Sequence, residues 1–560
     1  MWTPACELGH KGGFVISVRN ATPVPVWFTP SGGIVKRTLP ALIIASALVL
    51  AACGGSDSGS PDTTAAPATT APQFQTSTTA EAPPVDDIDR DATIKVSYSV
   101  GPTSWDPAVS SSSFDGPAYF LTYDRVVHLS PNADVVPGLA ESWDFSDDGS
   151  ELTMKVRAGM NFHDGNPVDA AAIVANLERN KAGSAAGDLA AMASIEVVDD
   201  LTFKITFDRP AGAWPAILAD RAGAIASPAA FGEALDLQPT GAGMYKVVEY
   251  VKDARIIYER FEDYWDMDAA AAARVEFVII PDNVAAFNSL LGGQTDWGLI
   301  LATQIAEAEA NGLTVISGLA LNLHHLQFNR SRPYLNDVNV RRAISMAVDR
   351  DGYVEGILRG LGSSSSQPFP TGYWGNNPDV VIPEYNPEKA RQMLRDAGVP
   401  EGYKFDMVVP NTNVYPAIAE AVRNDLLEVG IDAEIRLVDP VQTAPIFYGQ
   451  ASGDILMSVF GGRFDPAQQF ALLYTEGALP NPGGVTWPAL DELLPAALTA
   501  GPLEVRQPAI RAASKIISDD AVNVILHHPF SIFAFNEKVR GAELWLIGRP
   551  EFRGLGIAAE

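Results

Sequence analysis

Few residues in this chain have types and spacings that could do chemistry. Two pairs of adjacent histidines stand in LNLHHLQFN (His324-His325) and VILHHPF (His527-His528). Both pairs fall in apparent strands, where neighbouring side chains point to opposite faces, so neither pair is expected to chelate one metal. One ring of each is expected to pack and the other to meet water. FHDG, residues 162 to 165, sets a histidine beside an aspartate, but Asp-Gly between a strand and a helix reads as a turn. G-x-S-x-G, H-E-x-x-H and a phosphate-binding glycine loop are all missing from the region expected to fold. No catalytic residue, metal site or cofactor is therefore expected, and an exported hydrolase is only a remote alternative. Asp106 and Asp465 each precede a proline and suit turn formation.

The remaining reactive group is Cys53, one of only two cysteines. Lys36 and Arg37 precede an apolar run, Leu39 to Ala52, that ends in Leu-Ala-Ala-Cys. Charge, apolar run and small residues follow in the order of a secretory signal peptide, and the run is too short to span a membrane as a helix. The ending resembles a bacterial lipobox, so residues 35–52 are expected to be a lipoprotein signal peptide and Cys53 the acylated first residue. Residues 1–34 do not fit such a peptide and read as an upstream extension ahead of a start near Val35. Residues 53–91, rich in Gly, Ser, Thr, Pro and acid, cannot bury enough surface to order themselves and read as a tether.

Beyond the tether the chain is long enough for more than one core, with 560 residues in all, 47% hydrophobic. A net charge of -29 disfavours nucleic acid and anionic membrane surfaces as partners. Ile94, Val96, Tyr98 and Val100 alternate as in a half-buried strand, and strands are also expected at 152–156 and 201–207. Asp169 is placed to cap a helix over 170–180. Asn386-Pro387-Glu388 opens a second helix, stopped by Gly398. A strand at 403–409, a helix after Pro416 stopped by Gly430, and a strand at 431–437 with one solvated face complete a βαβ unit, which implies an α/β lobe.

Read in order, several phrases resemble the family 5 extracellular solute-binding proteins of ABC transporters, which include peptide, nickel and opine binders. They are PTSWDPA (102–108), VVPGLAESWDFSDDGSELTMKVRAGMNFHDGNPVDAAAIVANLER (135–179), PTGAGMYKV (239–247), YWD (264–266), IIPDNVAAFNSLLGGQTDW (279–297) and LQFNRSRPYLNDVNVRRAISMAVDRDGYVEGILRGLG (326–362). The resemblance implies an α/β fold, the periplasmic-binding-protein-like two-lobed clamshell (type II, cluster C) with an additional small domain. Lobe I would take 92–123, 213–320 and 527–560, the additional domain 124–212, and lobe II 321–526. It implies a protein that is not an enzyme and captures a solute, by default a dipeptide or oligopeptide, between lobes that close by hinge motion. Its partners would be an ABC permease and ATPase complex and, through Cys53, the outer leaflet of the cell membrane; the chain would act as a monomer. Non-peptide solutes, such as an opine, an anionic metal chelate or a glycoside, are the alternative within that class. A receptor or adhesion protein that lost transport is a third reading.

The resemblance also nominates ligand contacts: Tyr98, Trp105 and Asp106 after the first strand, Phe328 and Asn329 at the end of a crossing strand, and the Tyr373-Trp374 loop. The late phrase SVFGGRFDPAQQF adds Phe460, Arg463 and Asp465. In peptide binders of the family a carboxylate a few residues before this D-P neutralises the peptide ammonium. The matching position here is Gly462, so that anchor is missing, and Arg463 carries the sign suited to a carboxylate or phosphate.

Overall fold

Ile94 and Val96 are fully buried in strand β1 (Thr93–Tyr98) while Thr93 and Lys95 are exposed, which is the alternation expected of its sequence. The coordinates are a computed structural model and describe residues 87–560 except 111–114, 413, 476–479, 483, 485 and 502. Cys53, the signal segment, the tether and the upstream extension lie outside the described residues. After β1 and helix α1 (Gly116–Thr122), the chain builds an antiparallel sheet from β2 (Ala140–Phe145), β3 (Glu151–Val156), β4 (Met192–Asp199) and β5 (Thr202–Phe207), in the order β2-β3-β5-β4. Helix α2 (Ala170–Ala182) packs Ile173 and Leu177 into the same core as Leu152, Met154 and Phe203 of this sheet. Asp169 accepts from the Ala172 amide at 2.8 Å, the expected N-cap, an arrangement contributing about 1 kcal/mol.

The main sheet continues through β6 (Tyr245–Val251), β7 (Arg255–Arg260), β8 (Arg274–Ile279), β9 (Trp297–Leu299), β10 (Thr314–Leu319) and β11 (Leu323–Phe328). Helix α3 (Pro387–Asp396) starts at Asn386, whose side chain accepts from the Lys389 amide at 3.0 Å, and Gly398 follows it at φ 75°. Strand β12 (Tyr403–Pro410), helix α4 (Tyr415–Glu428) and strand β13 (Ile431–Val438) form the expected βαβ unit, with β12 and β13 parallel from Tyr403 opposite Ile431 to Pro410 opposite Val438. The solvated face of β13 is not confined to alternate residues: Ile431 and Ala433 are buried, but Leu437 is 49% exposed. β13 is the edge strand of the sheet, with no further strand beyond it in the sheet order. Strand β14 (Ile455–Phe460), helix α5 (Pro466–Tyr474), helix α6 (Leu503–Asp519) and the long strand β15 (Val524–Phe535) complete the elements used below.

Strand order in the main sheet is β13-β12-β14-β11-β15-β9-β1-β8-β7-β6, with β10 also paired to β15. β15 belongs to both halves. Its first residues, Val524 to His527, pair with β11, and its later residues, Phe530 to Phe535, pair with β10. A second connection is the short stretch 320–322 between β10 and β11. The two halves bury separate cores, one around Ile94, Phe277 and Trp297, the other around Leu326, Phe405 and Ile418. Few covalent connections and separate cores are the physical requirements for lobes that move as bodies about a hinge. Among the described residues no helix is long and apolar enough to cross a membrane.

The histidine pairs depart from expectation. His324, His325, His527 and His528 are all at most 3% exposed, so no ring meets water. β11 and β15 lie in the interior of the sheet, and helices cover both faces there, which a strand pattern alone does not reveal. His324 Nδ1 lies 2.7 Å from His527 Nε2, His325 Nδ1 2.8 Å from Asn523 Nδ2, and His528 bonds the carbonyls of Asn322 and Gln367. Among the described residues no group of three or more His, Cys, Asp or Glu is placed to hold a metal. FHDG is the expected turn: Gly165 has φ 85°, Asp164 accepts from the Asn166 amide, and His163 bonds the Gly243 carbonyl at 2.9 Å.

Candidate functional site

The loop after β14 lies against the first lobe. β14 runs antiparallel to β11, with Phe460 opposite Leu323, so the strand delivers Gly461 to Asp465 beside the 320–322 connection. There Phe464 is 3% exposed and shares a core with Trp545 and Ile547 of the C-terminal segment. The Arg549 guanidinium lies 5.6 Å from the Phe464 ring and 5.1 Å from the Phe120 ring of α1. Further contacts bridge the second lobe to the β2–β5 domain: Gln468 donates to Asp188 at 3.1 Å, and the Gly212 amide donates to the Leu498 carbonyl at 2.6 Å.

Asp220 is the centre of this junction. It accepts from Arg549 at 2.6 Å, and burial pushes its carboxyl up, but Arg549, Arg463 and Arg221 together overcome burial and hold it well below the ordinary range. Glu551, 1% exposed, takes Arg125 in a two-pronged pair at 2.6 and 3.2 Å, and stands 3.9 Å from Arg549 Nε. Four arginines thus face two carboxylates. Among the described residues the buried Nε atoms of Arg221 and Arg549 find no hydrogen-bond partner. Arg463 is partly exposed; its Nη1 donates to the Gly461 carbonyl at 3.3 Å and its guanidinium sits 5.4 Å from the Phe460 ring.

Gly462 is closed to any side chain. A Cβ there would stand 2.3 Å from Leu321 Cβ and 2.5 Å from the Leu321 carbonyl oxygen, because the loop presses on the inter-lobe connection. Its amide points to Asn322 Oδ1 at 3.3 Å. A carboxylate anchor is therefore sterically incompatible with this backbone as well as missing from the sequence.

The other nominated residues fall in several places. Tyr98 is 7% exposed at the end of β1 within the electrostatic reach of Arg549, and burial raises its hydroxyl. Trp105 is 1% exposed, stacked 6.0 Å from Tyr119 and edge-on to Tyr250 at 5.5 Å. Asp106 turns the chain by accepting from the Ala108 amide at 3.0 Å and pairs with Arg179. Phe328 packs in the second lobe's core, and Asn329 donates to the carbonyls of Ala451 and Gly453 at 3.1 Å each, at the end of β11 away from Arg463. Tyr373 donates its hydroxyl to the Phe464 carbonyl at 2.7 Å, and half-buried Trp374 lies 5.6 Å from the Arg506 guanidinium. Asp465 caps α5 through the Ala467 amide at 2.9 Å and pairs with Arg506 at 2.7 Å.

Phe460, Arg463 and, through Arg549, Tyr98 are thus brought toward one junction, whereas Phe328 and Asn329 are not. Asp220, Arg221, Trp545, Arg549 and Glu551 were not anticipated. Their phrases carry no distinctive spacing, and the residues come together from segments more than 300 positions apart.

Two halves of one sheet, linked by β15 and the 320–322 stretch and meeting over a polar junction, define a two-lobed binding protein. The family model for bacterial extracellular solute-binding proteins, family 5 (middle) matches residues 134–479, more than half of the chain. The chain belongs to that family. It is 26% identical to the dipeptide-binding protein of Escherichia coli K12 over 488 residues, covering 80% of this chain and 91% of that protein. It is also 26% identical to heme-binding protein A of Haemophilus influenzae, covering 78% and 86%. Among solved structures, the periplasmic binding protein DppA of Helicobacter pylori in complex with the peptide STSA superposes with a TM-score of 0.76 at 24% identity, covering 84% of this chain and 99% of that one. AgaA of A. tumefaciens R10, in complex with agropinic acid, gives 0.75 at 23% identity, covering 84% and 99%.

Proposed function

We propose that this chain is the solute receptor of an ABC importer, held at the outer leaflet by a lipid on Cys53, and that it delivers its solute to a membrane permease without catalysing a reaction. The observation that carries this reading is the junction itself: Phe464 of the second lobe packs in one core with Trp545 and beside Arg549 of the first, and Arg463 acts on Asp220, where two halves of one sheet are joined by few connections. Closure over a solute removes water from both, so the polar groups of the cleft must meet the solute's own donors and acceptors. The proposed lobes are 92–123 with 213–320 and 527–560, then 321–526, with 124–212 as the additional domain. Tyr98, Phe460 and Arg463 are the nominated residues best placed to line the cleft.

A peptide is the default solute, supported by the names of the relatives. The non-peptide alternative draws support from Gly462, where the backbone excludes an ammonium anchor. Small-angle scattering tests the receptor reading. Protein purified natively and then stripped of solute by unfolding and refolding should show a larger radius of gyration, and return of the released solute should reverse it. Identical scattering in all three states would sink the reading. Metabolic labelling with a palmitate analogue should mark the wild-type chain and leave Cys53→Ala unlabelled.

A further inference from the structure

The receptor reading leaves the solute open, and the next step rests on it. We infer that the solute presents an oxyanion, a carboxylate, phosphate or sulfonate, to Arg463, and that it is not held through an ammonium group at the 462 position.

Charge is left over at the junction. Asp220 is engaged by Arg549, and Glu551 by Arg125. Asp115, the residue just before α1, accepts from the Thr103 amide, the Thr103 hydroxyl and the Ser110 hydroxyl. Among the described residues no carboxylate lies within 4.0 Å of Arg463 or Arg221. The donors to Asp115 are neutral and leave its carboxylate charged, so four arginines stand against three carboxylates and the junction keeps an excess of one positive charge, in a chain whose 68 acids outnumber its 39 bases. An acidic protein has ample carboxylates to neutralise such a site, so a cationic junction marks a place reserved for a negative group from elsewhere. Among the described residues the Arg463 guanidinium makes one long contact, to the Gly461 carbonyl, and offers the rest of a planar fork of donors, the geometry that matches an oxyanion by two parallel bonds. Phe460 beneath it supplies an apolar floor that limits its hydration. On the opposite count, the place where a carboxylate could have met an ammonium is filled by Leu321.

The test uses the full chain, solubilised from membranes in mild detergent without denaturation. Native mass spectrometry identifies any solute released on unfolding, and calorimetry compares N-acetyl-Ala-Phe, with a free carboxylate and blocked amine, against Ala-Phe-amide, with a free amine and no carboxylate. A released solute bearing an acidic group, or at least tenfold tighter binding of the acetylated peptide, is expected. Arg463→Met should lower occupancy or affinity at least tenfold and Arg463→Lys should restore part of it, with the melting temperature of both variants near wild type. A released solute that bears an amine and no acid, preference for the amide, or wild-type retention by Arg463→Met overturns the inference and leaves the receptor reading standing. A chain that releases nothing and binds neither peptide overturns the receptor reading and this inference with it.

Discussion

At the cleft, Asp220 at 2.6 Å holds Arg549 charged against burial, and Glu551 pairs with Arg125 at 2.6 Å. In the adjoining strands β11 and β15, four histidines are buried with no carboxylate partner among the described residues, and burial keeps them neutral. Burial, with the neighbouring rings His325 and His528, pulls His324 down to about 3; burial alone takes His325 to about 3, and burial opposed by two backbone bonds leaves His528 at about 4. The two clusters show the two ways a polar group survives removal from water: gain a counter-charge, or give up the proton. Only the first leaves a field that can recruit a charged solute, so the richer collection of titratable rings is structural and the plainer arginine ring is the candidate for binding.

Removing the counter-charge should break this contrast most severely. Glu551→Ala leaves Arg125 buried and unpaired, and should cost about 3–5 kcal/mol of unfolding free energy by urea titration. Glu551→Gln should cost less, because it keeps one bond to the guanidinium.

Acid should break the other side. Between pH 6.5 and 4 the unfolded chain binds protons on the His324, His325, His527 and His528 rings while the folded chain, with its depressed values, does not. Stability is therefore full above pH 6.5 and falls as pH drops toward the folded values, each ring contributing a slope of about 1.4 kcal/mol per pH unit. Urea midpoints from pH 7 to 5 should show the fall, and His325→Asn should lessen it by about one proton's share. An unchanged slope would count against a neutral cluster.

Restoring the family's anchor should fail in an informative way. Gly462→Asp places its Cβ on Leu321 and should destabilise the fold by about 1–3 kcal/mol without creating an amine site, measured by melting and by calorimetry with Ala-Phe-amide. At the small end, Lys515 and Asp519 pair across one turn of α6 with half of each side chain in water. Lys515→Ala should change stability by no more than about 0.5 kcal/mol. That result would mark how little an ion pair contributes once solvent is admitted, against the buried pair of Arg125 and Glu551.

Local signals explain what could be read along the chain. Asp169, the Asn386-Pro387 pair, Gly398 and Gly430 act within a few residues of themselves, so the helices they start or stop and the βαβ unit between 403 and 438 were legible without a fold. The turn at FHDG belongs with them, and the ordered phrases carried the family. Burial of both rings of each histidine pair was not legible, because it depends on what covers β11 and β15, not on alternation within them. The exposed Leu437 shows the same limit at the sheet's edge.

Acidity, a Gly where a carboxylate would be needed and an Arg beside it stand in the residues themselves, and the two-lobed form came through the ordered phrases that resemble the family. That Leu321 forbids any side chain at Gly462, and that Asp220, Arg221, Arg549 and Glu551 gather near the loop that bears Arg463, emerges once the chain is folded. Charge and steric exclusion act through space over a few ångströms, whereas helix caps and strand alternation act along the chain. For that reason the elements could be read from neighbours in sequence, and the site could not.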